Sequence, residues 1–143
     1  MRYELAVEIS RPPAEVYAFL ADPSNLHRWQ EGVEEVHGPG GPLAAGSTFT
    51  EVRTFMGKRV ESELEVTAAE PGREFSLRSL SGPVRFSARH LLAPADDGTL
   101  LTLVGDVDAG RLFGLAGGLV RKAAERRTRT DFERLRRLLE PDA

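Results

Sequence analysis

The sequence predicts an α+β fold in which one strand, two short helices, about six further strands and a long C-terminal helix follow one another. Apolar and polar residues alternate over residues 3–9, which is typical of a half-buried strand. Turn signals then recur through roughly 75 residues after Gly32, as expected for an antiparallel meander. The last segment runs from Leu119 to Glu140 without Gly or Pro, so it is long enough for a helix as wide as the domain.

Prolines place the two short helices. Pro12 and Pro13 are tolerated only in the first turn of a helix, so a helix is expected directly after the first strand. Asp22 and Pro23 end this helix, because the residue before a proline is biased away from helical geometry. A second short helix is then expected to carry Trp29, the only tryptophan of the chain.

Turn signals rich in Gly, Pro and Asp divide the middle of the chain into strands. They lie at residues 38–42, 56–58, 71–72, 81–83 and 96–98. Between them, residues 60–66 and residues 84–92 alternate so that each strand has one apolar face. These faces are the candidates for the inner surface of the sheet.

The bulk composition indicates an ordinary globular protein. With 143 residues, the chain is expected to form a single domain over residues 1–143. The absence of cysteine excludes disulfides, thiolate catalysis and cysteine-based zinc sites. The N-terminus lacks the apolar segment of a signal peptide, and no run of about 18 apolar residues exists, so a cytoplasmic protein is expected.

The charges are unevenly distributed along the chain. Residues 1–70 carry 6 Lys or Arg against 12 Asp or Glu, whereas residues 111–140 carry 9 against 4. The basic C-terminal helix is therefore expected to dock on the acidic N-terminal half, an arrangement favoured over contact with a membrane surface. The net charge of −3 gives no general attraction to nucleic acid, which is not an expected partner.

Four stretches resemble the superfamily of Bet v 1-like and START-related (SRPBCC) domains, and most of all its branch of polyketide cyclase/dehydrase and lipid-transport proteins. They are SRPPAEVYAFLADPSNLHRW at 10–29, AAGSTFTEVR at 44–53, VTAAEPGREFSLRS at 66–79, and DDGTLLTLVGDV at 96–107 with the terminal helix. The resemblance implies a helix-grip fold, with a seven-stranded curved antiparallel sheet around the C-terminal helix and two short helices between strands 1 and 2. It covers nearly the whole chain and is specific for fold rather than for chemistry.

The terminal helix is unusual in its middle. Between Arg121 and Asp131 its uncharged residues are all small, whereas large apolar residues stand at both ends. A helix that closes over a concave sheet with small side chains leaves space, and because close packing is the norm, such a void is costly unless a ligand fills it. The alternative is that long side chains of the sheet, such as Phe75 and Phe86, fill the gap.

The resemblance and this void together define a set of candidate ligand-binding residues. They are Trp29, Phe49, Ser62, Leu64, Phe75, Ser79, Phe86, His90, Leu115, Leu119, Ala123 and Ala124. Residues 108–118, where Gly114, Gly117 and Gly118 weaken helix formation, and the Gly-Pro segment 38–42 are expected to form the mobile lip of the cavity.

His90 is the candidate catalytic residue. It lies on the apolar face of its strand, in phase with Phe86 and Leu92, and on the resembled fold that face lines the cavity. A histidine there could act as an acid or a base near neutral pH. The plainer interpretation, which we favour, is a core histidine bonded to a backbone carbonyl.

Glu51 and Arg53 share one strand face with Phe49. If this face points inward, the charged pair lies at the cavity. If the opposite face, with Thr50 and Val52, points inward, the pair lies outside the cavity. Because buried charges are costly, the sequence favours the outward orientation of the pair.

Three functions remain open at this stage. The first is binding of a hydrophobic small molecule, lipid-like or aromatic polycyclic. The second is a polyketide cyclase or dehydratase that uses His90 in the same cavity, and against it stands the lack of a clear pair of inward-facing ionisable residues. The third is a protein-interaction module with a vestigial cavity.

Cofactors and partners follow from the same reasoning. His27 and His37 lack ligand partners at metal-binding spacing, so neither a metal nor a cofactor is predicted. The expected partner is an apolar small-molecule ligand, and a homodimer is left open.

Overall fold

The computed structural model describes residues 1–55, 57–82, 84–108 and 117–140. Leu115 and most of the lip predicted at 108–118 lie outside the described residues. Within these ranges there are seven strands: β1 (Arg2–Ile9), β2 (Val33–His37), β3 (Thr48–Phe55), β4 (Lys58–Glu70), β5 (Glu74–Ser79), β6 (Arg85–Ala95) and β7 (Gly98–Asp108). The helices are α1 (Pro13–Leu20), α2 (Leu26–Trp29) and α3 (Gly117–Leu139), with one 3₁₀ turn at Pro23–Asn25.

All strands belong to one antiparallel sheet in the order β1-β7-β6-β5-β4-β3-β2. Strands β2 to β7 form the predicted meander, in which each strand pairs with the next along the chain. β1 then pairs with β7, so the N-terminal strand lies at the edge opposite β2. The helix-grip fold class, with seven strands and short helices between the first two, is confirmed.

The short helices form where the prolines predict them. Pro13 is the first residue of α1, a position at which the missing N–H of proline costs nothing. The Asp22 carboxylate accepts hydrogen bonds from the backbone N–H and the hydroxyl of Ser24, at 3.0 and 2.7 Å, and so starts the turn that leads into α2. After this turn, α2 places Trp29 in the core, where its side chain is almost fully buried.

Helix α3 is held at its C-terminal end. Phe132 and Leu135 are buried in the core, and the Arg11 Nε donates to the backbone oxygen of Leu139 at 2.6 Å. At the other end, Leu119 keeps 70% of its surface exposed. The helix therefore packs tightly at one end and covers a looser region at the other.

The register between β3 and β4 decides which face of β3 points inward. Glu51 lies opposite Ser62, and Arg53 lies opposite Val60. Directly opposed residues share a face of the sheet, and Ser62 and Val60 belong to the inner face of β4. The outward orientation favoured from the sequence is therefore wrong, and Glu51 is buried with only 3% of its surface exposed.

Candidate functional site

A cavity of about 520 Å³ lies between the inner face of the sheet and helix α3. Its size falls within the range of pockets that take drug-sized ligands. Most of the described side chains that line it are apolar, and the polar ones include His90 and the charged residues of β3. Ala123, Ala124 and Thr128, three of the four small residues in the middle of α3, thus face open space, as the sequence predicts.

Eight of the candidate ligand-binding residues line this cavity. The strands contribute Ser62, Leu64, Phe86 and His90. The helices contribute Trp29, Leu119, Ala123 and Ala124. Their role in ligand binding stays a prediction, but the structure brings them together around one space.

Of the other four candidates, three lie elsewhere. Phe49 and Phe75 line a much smaller adjoining space of about 10 Å³, which Trp29 and His90 also border. The Ser79 hydroxyl accepts a hydrogen bond from the backbone N–H of Phe86 at 2.9 Å and so holds the turn between β5 and β6. Leu115 is outside the described residues. The gap under α3 is thus not filled by Phe75.

His90 is buried at the inner end of the cavity, beside the ring of Phe132 at a centroid distance of 6.2 Å. Its Nδ1 lies 3.0 Å from the backbone oxygen of Phe75. Since a carbonyl oxygen only accepts, Nδ1 carries the proton, and Nε2 is an acceptor in the neutral ring. Burial lowers the pKa of His90 to about 4, although the bond to Phe75 acts in the opposite direction.

This lowered pKa predicts a loss of stability in acid. The unfolded chain protonates His90 near pH 6.5 and the folded chain only near pH 4, so the unfolded state binds more protons between these values. The free energy of unfolding should therefore fall as the pH falls through this window, by up to about 3 kcal/mol from His90 alone. Urea denaturation of the wild type at pH 7, 6, 5 and 4.5 measures the fall. His90→Gln keeps a donor for Phe75 but cannot titrate, and equal pH slopes in both proteins would contradict the assignment.

Four charged residues lie together along the same cavity, and we call them the inner charged cluster. They are Glu51 and Arg53 of β3 and Arg127 and Asp131 of α3. Residues two apart share a face of a strand and residues four apart share a face of a helix, so each pair is aligned by its own element. The pair of inward ionisable residues that the sequence analysis did not find is therefore present.

The strand pair is held in place from two sides. Arg53 Nε lies 2.7 Å from Glu51 Oε1, which makes an ion pair with the buried carboxylate. Arg53 Nη2 donates to the side-chain oxygen of Gln30 at 2.8 Å. Gln30 directly follows α2, so the end of this short helix orients the guanidinium in the cavity.

The two charged residues of α3 hold the backbone of Glu31, the residue that follows Gln30. Asp131 Oδ1 accepts from the backbone N–H of Glu31 at 3.1 Å, and Arg127 Nη2 donates to the backbone oxygen of Glu31 at 2.7 Å. Both backbone polar groups of Glu31 are thus satisfied by α3. Burial raises the pKa of Asp131, and burial together with the nearby charge of Arg53 lowers the pKa of Arg127.

Tyr3 is a further lining residue that the sequence analysis did not single out for the site. Its ring lies over Gly105 of the paired strand, where a Cβ atom would come within 2.5 Å of the ring. Its hydroxyl lies 3.4 Å from that of Thr128 on α3. The glycine in an otherwise apolar strand was the available signal, because an isolated glycine in a strand marks a close approach of another group.

The described part of the chain shows neither a cluster of metal ligands nor a helix suited to span a membrane. Residues 1–55, 57–82, 84–108 and 117–140 contain no group of three or more His, Asp or Glu that could hold a metal ion. Over the same ranges, no helix combines the length and the apolar character needed to cross a bilayer.

Comparison with known proteins agrees with this architecture. A START superfamily protein from Mycobacterium smegmatis is 15% identical, with a TM-score of 0.82 and 99% of each chain covered. A protein from Geobacillus kaustophilus is 18% identical, with a TM-score of 0.80, and the match covers 99% of this chain and 96% of that one. Ara h 8.0201 is 11% identical, with a TM-score of 0.78 and 99% of each chain covered. At these identities the likeness shows the fold alone.

The family follows from the sequence match. No curated protein matches the chain. The family model described as polyketide cyclase/dehydrase and lipid transport matches residues 1–140. This match over nearly the whole chain shows that the chain belongs to the polyketide cyclase/dehydrase and lipid transport family.

Proposed function

We propose that the protein binds a hydrophobic small molecule, lipid-like or aromatic polycyclic, in the cavity between the sheet and α3. The observation that carries the proposal is the volume of about 520 Å³ under the small residues of α3. Leu64, Phe86 and Leu103 supply apolar surface to this space, and burial of apolar ligand surface contributes about 25 cal/mol per Å². Leu119 remains exposed at the edge of the cavity and would gain a partner when a ligand enters.

The alternative of an interaction module with a vestigial cavity has less support. A vestigial cavity is expected to be filled by its own side chains, because empty space in a core forfeits dispersion contacts. Phe75, which could have filled it, instead packs edge-on against Tyr17 at a centroid distance of 6.1 Å.

The enzymatic alternative, a polyketide cyclase or dehydratase, is favoured by one observation. Aldol closure and dehydration need groups that exchange protons with the substrate, and the inner charged cluster places Glu51 and Asp131 along the cavity. Burial raises the pKa of Asp131, which moves it towards the range of a general acid. His90 is a weak candidate for the catalytic group, because a base with a pKa of about 4 binds protons poorly at pH 7.

Titration with apolar ligands tests the proposal. Trp29 lines the cavity and is the only tryptophan, so a ligand such as 2-ethylanthracene should change its fluorescence saturably. At a free ligand concentration of about 100 times the Kd, the free energy of unfolding should rise by about 2.7 kcal/mol. If fluorescence and melting temperature respond to no apolar compound, the binding proposal is wrong. A bound poly-β-ketone recovered unchanged would indicate a carrier, and a cyclised product would indicate an enzyme.

A further inference from the structure

Two hydroxyl groups on the cavity wall are only weakly bonded to each other. Tyr3 and Thr128 both line the cavity, and each side chain keeps part of its surface exposed. The two hydroxyl oxygens are 3.4 Å apart. Hydrogen bonds between hydroxyls usually measure about 2.5–3.0 Å, so this bond is long and weak. Both groups therefore keep hydrogen-bonding capacity that a molecule in the cavity can use.

The direction of this weak bond follows from the helix. The Thr128 hydroxyl donates its single proton to the backbone oxygen of Ala124 at 2.8 Å. Because a threonine hydroxyl has one proton and two lone pairs, Thr128 Oγ1 can only accept from its other neighbours. Tyr3 is thus the donor of the pair and Thr128 the acceptor. The cavity wall offers one donor and one acceptor side by side.

The Tyr3 ring is positioned by a glycine of the neighbouring strand. Tyr3 is paired with Gly105 of β7, and a Cβ atom at Gly105 would come within 2.5 Å of the ring carbon Cζ and 2.9 Å of the hydroxyl oxygen. The hydroxyl end of the ring thus lies over the inner face of the sheet. Ala88, which is opposite Gly105 on β6, also lines the cavity. On α3, Ala124 lines it one turn before Thr128. Small side chains therefore leave open space beside the two hydroxyls.

The surroundings of Tyr3 keep its hydroxyl neutral and disfavour an anionic ligand group. Burial is the main cause that raises the pKa of Tyr3, and the charges of Glu125 and Asp131 add to it. The bond to Thr128 and the charge of Arg127 act in the opposite direction without cancelling the rise. Tyr3 therefore keeps its proton at neutral pH. A ligand carboxylate at this place would lie near the same two acidic side chains and would have no proton to donate to Thr128.

We propose that Tyr3 and Thr128 bind a neutral hydroxyl group of the ligand, which accepts from the Tyr3 hydroxyl and donates to Thr128 Oγ1. An alcohol or phenol can do both, whereas a ketone or ester oxygen only accepts. The inference deepens the proposed function and rests on it. The hydrocarbon part of the ligand then lies against apolar lining residues such as Phe86 and Leu103. The ligand class is accordingly an aromatic polycyclic or lipid-like alcohol or phenol.

Three ligands of similar shape test the hydroxyl group on the wild-type protein. They are 2-ethylanthracene, 2-acetylanthracene, which only accepts, and 2-(hydroxymethyl)anthracene, which accepts and donates. Quenching of Trp29 fluorescence gives each Kd. Without partners in the cavity, the hydroxymethyl compound should bind about tenfold more weakly than the ethyl compound, because its hydroxyl loses hydrogen bonds to water. We expect it to bind at least as tightly as the ethyl compound.

Tyr3→Phe removes the donor and keeps the aromatic ring. We expect the affinities for the hydroxymethyl and acetyl compounds to fall about fivefold, with that for the ethyl compound unchanged within about twofold. Tyr17→Phe is the matched control, because Tyr17 is buried and is not among the described residues that line the cavity. It should change none of the three affinities.

Thr128→Val removes the acceptor and keeps the shape of the side chain. The affinity for the hydroxymethyl compound should again fall about fivefold. The acetyl compound has no proton to donate, so it should bind at least as tightly as to the wild type. Thr130→Val is the matched control, because the Thr130 hydroxyl also donates within α3, to the backbone oxygen of Arg126 at 3.2 Å, but is exposed and does not line the cavity. It should change no affinity.

The outcomes separate this site from the proposed function. Weaker binding of the hydroxymethyl compound than of the ethyl compound on the wild type overturns the hydroxyl site and leaves the binding function standing. Equal losses for the ethyl and hydroxymethyl compounds in Tyr3→Phe, or for the acetyl and hydroxymethyl compounds in Thr128→Val, also overturn it, because the side chains would then act by shape alone. If none of the three ligands binds, the proposed function fails and the hydroxyl site falls with it.

Discussion

Ala124→Phe is expected to weaken the binding of 2-ethylanthracene by at least about tenfold while the protein stays folded. Ala124 lies in the middle of α3 and lines the cavity, so the added ring enters open space that the ligand would otherwise occupy. Overpacking a filled core costs roughly 1–3 kcal/mol, whereas this change should lower the free energy of unfolding by less than about 1 kcal/mol. Fluorescence titration gives the Kd, and urea denaturation gives the stability.

Lys122→Phe is the matched control on the same helix. Lys122 is exposed and does not line the cavity, so the same ring placed there should leave the Kd unchanged. A loss of several kcal/mol in Ala124→Phe, with no loss in the control, would mean that the interior beneath Ala124 is already packed. That result would remove the basis for ligand binding at this place.

Arg53→Met is expected to lower the free energy of unfolding by about 3 kcal/mol. Glu51 is buried, and removal of Arg53 leaves its carboxylate without the guanidinium that pairs with it at 2.7 Å. The cost is that of an uncompensated buried charge rather than of the lost contact. Urea denaturation at pH 7, with the slope compared between variants, measures the difference.

The double variant Glu51→Gln/Arg53→Met supplies the control. It removes both charges together, so it should be more stable than Arg53→Met alone and lie within about 1 kcal/mol of the wild type. If the single and the double variant lose the same stability, Glu51 is effectively solvated in the folded protein. The ion pair would then be irrelevant to stability, whatever its role in binding.

Much of the fold could be predicted from local patterns. Pro12 and Pro13 mark the start of α1, and the run from Leu119 to Glu140 predicts α3, which the structure places at Gly117–Leu139. These features depend on steric rules and on periodicity within a single element, so no knowledge of neighbouring elements is needed. The resemblance to a known superfamily then supplied the curvature of the sheet and the position of the helix.

The candidate site could be predicted except for its charged residues. Leu64, Phe86 and Ala124 were expected around the cavity and line it. The sequence predicted only that the basic helix docks on the acidic half of the chain. It did not assign Arg127 and Asp131 to the site, because a charge pattern on a helix does not show what the helix covers. Both line the cavity, where they hold the backbone of Glu31.

The sequence by itself determined the elements, their order and the small residues in the middle of α3. Only the tertiary structure decided which face of β3 points inward. A strand with Phe49 and Glu51 on one face and Val52 on the other satisfies either orientation, because a period of two is symmetric between the faces. The choice came from the pairing of Glu51 with Ser62, a contact between two strands that neither strand encodes alone. That pairing turns the charges of Glu51 and Arg53 towards the cavity, where they join Arg127 and Asp131 of α3 in the inner charged cluster.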